Sequence, residues 1–277
     1  MLRNSFCHLP GIGPVYERRL WSLGYDTWDS VLEGMSPGPA GRRFAGLADR
    51  LRESRLALDH EDAAFFSDRL PTDEHWRLFL EFRSSTAYLD VETSGAWAGA
   101  SVITTIALYD GRAVRYYVRG RNLDRFPGDI GKYKLLVTYS GKCFDVPVIE
   151  QTFGIRIGAA HIDLRYVLHS LGYTGGLKRC EKQFGIDRGD LDGLDGYWAV
   201  LLWDDYVRYG NEHALETLLA YNIEDVVNLE TLMVAAYNLK IKGTPFWPSH
   251  EQSHPSTPVP PFRAHRETLR RIQLSLR

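Results

Sequence analysis

The chain has 277 residues, 44% hydrophobic and 25% charged, which excludes disorder throughout and suffices for one large core or a core plus a small appendage. Its net charge of -2 provides no general attraction for a polyanion. No run approaches the roughly 18 apolar residues of a membrane helix, and Pro10 and Gly11 interrupt the amino terminus before a signal-like stretch develops, so a cytoplasmic protein with no membrane partner is expected. Cys7, Cys143 and Cys180 form no Cys-x-x-Cys pair, which excludes a zinc ribbon and a disulfide framework.

Residues 1 to about 60 read as helical. Val15, Leu20, Leu23, Trp28, Val31 and Leu32 recur at helix-compatible spacing after the break at Pro10–Pro14, and MSPGPAG (35–41) is a second breaker before an amphipathic helix. A small helical domain is expected over 1–70, joined to the next unit by LPTDEH. From Thr86 the character changes. AYLDVET and SVITTIALY read as strands, and Asp110-Gly111 followed by AVRYYV signals a hairpin, so three antiparallel strands are expected. A basic loop and a further strand, LLVTY (135–139), lead into helices at DVPVIEQTF, HIDLRYVLHSL, GLKRCEKQF, YWAVLLWDDYVRY and about His213 to Lys240. This is a mixed α/β pattern over 86–242. Six of the thirteen prolines fall in 244–261, so 243–277 reads as an extended, Pro-rich tail.

Asp90 and Glu92 are two apart on the first strand, so both side chains leave one face. Like charges so placed resist burial unless a cation is shared, although for this pair taken alone a solvated strand end is the better explanation. Asp145 follows the strand LLVTY in YSGKCFDVPVI, where it opens the next helix and is either a cap or a ligand. In YNIEDVVNLETL, Tyr221 and Asp225 are four apart, in line with Leu218 and Leu229, so this aspartate faces the core and needs a cation or donors.

The ordered set Asp90-x-Glu92, Asp145 preceded by Gly-Lys-Cys-Phe, and Tyr221-x-x-x-Asp225 resembles the DEDD exonuclease superfamily on the ribonuclease H-like fold, in its tyrosine-containing (DEDDy) subgroup. More closely, the whole chain resembles the bacterial YprB-like ribonuclease H-like proteins, which join this domain to a helical segment containing LPGIG. The resemblance implies an α/β fold, a mixed sheet flanked by helices with a small amino-terminal helical appendage. It also implies a 3′-to-5′ exonuclease that hydrolyses DNA or RNA from a free 3′ end. Two divalent cations, Mg²⁺ or Mn²⁺, would be held by Asp90, Glu92, Asp145 and Asp225, with Tyr221 orienting the attacking water. Hard cations prefer such oxygen ligands. Members commonly have Asn where this chain has Ser140, so an amide contact to water or substrate is lost there.

Seven basic residues against two acids lie between Arg112 and Lys134, and ten acids against Arg208 alone between Asp190 and Glu230. Segregation of this kind suits cations held beside a polyanion, and solvated faces are the plain alternative. Candidate phosphate contacts are Arg119, Arg121, Lys142 and Lys178, together with Gly11 and Gly13 of LPGIG, which resembles a helix-hairpin-helix turn. Asp163 reads as a helix cap rather than a fifth ligand, and His161 is a weaker candidate for a base. A binding module that no longer cleaves, or an adaptor using the helical region and the tail, is the competing reading.

Overall fold

The computed structural model describes residues 1–34, 41–95 and 101–276, with side chains at all of these except 41–45. Of the breaker at 35–41, only the backbone of Gly41 falls within the description. The amino-terminal region contains α1 (Pro14–Ser22), α2 (Trp28–Glu33), α3 (Gly41–Asp59), α4 (Ala63–Ser67) and α5 (Phe79–Phe82). Strands β1 (Thr86–Thr93), β2 (Ile103–Tyr109) and β3 (Val114–Val118) follow, then α6 (Phe126–Ile130), β4 (Leu135–Thr138), α7 (Asp145–Phe153), β5 (Ala160–Asp163) and α8 (Leu164–Ser170). The chain continues through α9 (Leu177–Gln183), α10 (Gly196–Tyr209), α11 (Glu212–Ile241) and α12 (Arg266–Ser275).

The five strands lie in the order β3-β2-β1-β4-β5. β1–β2 and β2–β3 are antiparallel and β1–β4 and β4–β5 are parallel, the expected mixed sheet. Alternation along β1 assigns its faces: Ala87, Leu89 and Val91 pack in one cluster with Phe126 and Ile149, and Tyr88 packs on the other face with Ile223, Val227 and Tyr237 of α11. Asp90 and Glu92 share the parity of Tyr88 and therefore meet α11. At about 1.5 Å per residue this 30-residue helix runs roughly 45 Å, long enough to serve both the sheet and the amino-terminal helices.

Two elements depart from the sequence expectation. HIDLRYVLHSL is not one helix: Ala160–Asp163 is β5, paired in parallel with β4, and helix begins at Leu164. Four residues are too few to show a period against the apolar helix that follows directly. The tail 243–277 is not extended throughout: 243–250 is a run of turns, 251–265 has no regular structure, and α12 packs Ile272 into a cluster with Leu202, Leu218 and Tyr221. Asn238 exchanges side-chain to main-chain bonds with Gln252, and Phe262 meets Tyr116 on edge strand β3, so the Pro-rich segment is packed along the molecule. Leu2, Phe6, Trp28, Leu51 and Phe66 from the amino-terminal region join the cluster that contains Trp76, Leu215 and Tyr237, one continuous core.

Candidate active site

The site forms where β1 outruns its parallel partner. Pairing with β4 stops at Tyr88–Val137, whereas pairing with β2 continues through Asp90–Ala107 and Glu92–Thr105 to an irregularity at Thr93. The freed Val91 N–H donates to Asp145 Oδ1 at 2.9 Å, which brings α7 against the strand between the two acids. From above, α11 crosses with Tyr221 and Asp225 one turn apart. Asp90, Glu92 and Asp225 each offer a carboxylate oxygen within 4.8 Å of the others. Asp145, 5% exposed, lies outside that group.

Burial pushes the Asp90 carboxyl well above its usual range, and repulsion from Asp225 and Asp145 adds to it. Burial likewise raises Glu92, with Asp90 and Asp225 repelling it, and raises Asp145 to about 7. Compensating charge comes from Lys178, whose Nζ donates to both oxygens of Asp225 at 2.9 Å, and from Arg188, 2.6 Å from Asp225 Oδ1. Lys178 also sits 4.1 Å from the centroid of the Tyr221 ring. The Tyr221 hydroxyl is held protonated, its pKa raised by burial and by the neighbouring carboxylates. Four oxygen donors that repel one another in a buried setting are the donor set a hard divalent cation relieves. The residues therefore fit such ions.

The neighbouring loop explains the other candidates. Asp163 caps α8 through Arg165 N and also accepts the N–H groups of Ser140 and Lys142, so it anchors the turn leading to Asp145. Asp145 itself is the first residue of α7, after Phe144 at the N-cap, and its Oδ1 accepts from Val91 N. His161 is engaged through Nε2 with Thr138 Oγ1 at 2.8 Å, and burial lowers its pKa to about 3, which keeps the ring neutral. Lys142 turns inward, its Nζ 3.3 Å from His75 Nδ1, and burial lowers its pKa.

The basic run is largely engaged within the molecule. Arg121 forks onto both oxygens of Glu212 at 2.6 and 2.7 Å, Arg115 pairs with Asp110, Lys132 with Asp129, and Arg119 Nε donates to the Ile103 carbonyl. Lys178 is the candidate phosphate contact that reaches the acids. Gly11 has φ +82° and Gly13 precedes α1, and a Cβ at either would meet nothing within 4 Å. Ahead of this turn stands a three-residue 3-10 helix, Leu2–Asn4.

Three residues escaped the motif reading. Asn222 donates to Asp90 Oδ2 at 2.7 Å, Arg188 pairs with Asp225 and Glu181, and Glu181 accepts from Asn228. Asn222 carried a signal, because a polar side chain four residues after Leu218 and three before Asp225 lies on the buried face of α11. Arg188 stands in a loop, where no periodicity marks it.

None of the curated proteins matches the sequence. A family B DNA polymerase from the hyperthermophilic archaeon Pyrobaculum calidifontis is similar over 57% of this chain and 24% of its own, at 16% identity and a TM-score of 0.43. This chain thus spans about a quarter of that polymerase's length. The family model of the RNase_H superfamily matches residues 87–237, which run from β1 into α11 and contain every carboxylate of the site, and the chain belongs to that superfamily.

Proposed function

We propose that the protein is a metal-dependent nuclease, a 3′-to-5′ exonuclease of the tyrosine-containing DEDD type acting on DNA or RNA. The observation that carries this reading is the convergence of Asp90, Glu92 and Asp225 from β1 and α11, with oxygens within 4.8 Å of one another. Asp145, hydrogen-bonded to the residue between the two strand acids, completes the set. These four carboxylates would hold two Mg²⁺ or Mn²⁺ ions, which when bound supply Lewis-acid activation of water and stabilise the leaving oxygen. Tyr221 orients the water through a hydroxyl that stays protonated, which makes it a positioner and not a base. Lys178 carries its ammonium beside Asp225, where it can meet a phosphoryl oxygen of the bound strand.

A panel of end-labelled single- and double-stranded DNA and RNA, digested with Mg²⁺ or Mn²⁺, tests this reading. Stepwise shortening from the 3′ end is expected, dependent on the cation and lost in Asp225→Asn with the fold retained. Internal cleavage would replace the exonuclease reading by an endonuclease one. Digestion that persists undiminished in Asp225→Asn would remove these acids from the chemistry.

A further inference from the structure

We propose that Asn222 is a positioning residue that fixes the carboxylate of Asp90 for cation binding; this rests on the nuclease reading above. Asn222 is fully buried. Its Nδ2 donates to Asp90 Oδ2 at 2.7 Å and to the main-chain oxygen of the same residue at 3.3 Å, so one amide group ties the Asp90 carboxylate to its own backbone. The amide cannot turn over without loss. Its Oδ1 accepts from Thr105 Oγ1 at 3.0 Å, and a reversed amide would set its oxygen against two oxygens of Asp90. Thr105 is itself fully buried and stands opposite Glu92 in the β1–β2 register. The relay Thr105–Asn222–Asp90 thus ties β2, α11 and β1 at the point where the acids converge. It engages Oδ2 of Asp90 and leaves Oδ1 for a cation.

An apolar residue of similar volume would fill the same space, so packing alone does not explain an amide with both ends engaged. Residues that orient metal ligands typically contribute about 10–100-fold in metal affinity. Mn²⁺ titration calorimetry on the full chain, with circular dichroism to verify folding, measures this directly. Asn222→Leu is expected to weaken Mn²⁺ binding by about tenfold or more, and Thr105→Val, which removes the hydroxyl that orients the amide, to weaken it less. In an Asp90→Asn background, Asn222→Leu should cost no further affinity, because its effect passes through Asp90. A smaller loss in folded Asn222→Leu, or a loss that adds in full to that of Asp90→Asn, overturns the inference. Where Asn222→Leu fails to fold, unchanged Mn²⁺ affinity in Thr105→Val overturns it. A wild-type chain that binds no Mn²⁺ overturns the nuclease reading and this inference together, whereas normal wild-type binding with unaffected variants overturns the inference alone.

Discussion

Ser140 stands at φ +65°, a left-handed conformation that costs a serine about 1–2 kcal/mol. Its N–H donates to Asp163 and its carbonyl accepts from Cys143 N, so the turn that delivers Asp145 depends on this backbone. Asparagine tolerates such φ values better than most residues. Ser140→Asn is therefore expected to raise unfolding stability by about 0.5–1 kcal/mol in urea titration, and a loss of stability would show that the turn prefers serine. Tyr221 leads to a second expectation. Because its hydroxyl is held protonated, Tyr221→Phe should lower the single-turnover cleavage rate while leaving nucleic-acid affinity nearly unchanged. An equal rate in that variant would take the hydroxyl out of the mechanism.

At the scale of elements, strands and helices with a clear period were legible in the sequence. β1 to β4 announce themselves by β-branched runs and the Asp110-Gly111 turn, and α11 by its length, whereas β5 merges with the apolar start of α8. Strand and helix periods put Asp90 and Glu92 on one strand face and Asp225 on the core face of its helix, whereas Asp145, a cap or a ligand from its position alone, joins them only through the family resemblance. Their pairings were not legible: the sequence marks Lys178 as a phosphate contact without its bond to Asp225, Asn222 by its buried face without its bond to Asp90, and Arg188 in its loop not at all. Helix α1 shows the same dependence on tertiary contact. Its Glu17, fully buried, accepts the N–H groups of Phe6 and Cys7 and pairs with Arg77 at 2.8 Å, which pins the segment before LPGIG to the core. Glu17→Ala would leave Arg77 and two backbone donors under-satisfied, and should lower stability by about 3–5 kcal/mol. Urea unfolding checks this, and a change below about 1 kcal/mol would show that the arginine finds other partners.

Over the whole molecule, the segregated charges are in part paired off by the fold. Within the basic stretch 112–134, Arg115, Arg121 and Lys132 pair with Asp110, Glu212 and Asp129, and the acidic stretch from 190 to 230 meets Arg266 and Arg271 of α12 through Asp190 and Asp205. Counting charges along the chain cannot reveal the Arg121–Glu212, Arg266–Asp190 and Arg271–Asp205 pairs, which join segments that only the fold brings together. The amino-terminal helices and α12 belong to the same construction. The former share the core beneath α11, and α12 supports through Ile272 the cluster that contains Tyr221. No helix among the described residues is long and apolar enough to cross a membrane. The acid cluster is only partly compensated by Lys178 and Arg188 at Asp225, and burial and mutual repulsion raise Asp90, Glu92 and Asp145. Anomalous diffraction from crystals soaked in Mn²⁺ tests this directly. Two peaks bracketed by Asp90, Glu92, Asp145 and Asp225 are expected, and a fully soaked crystal with no peak at these carboxylates would contradict the account.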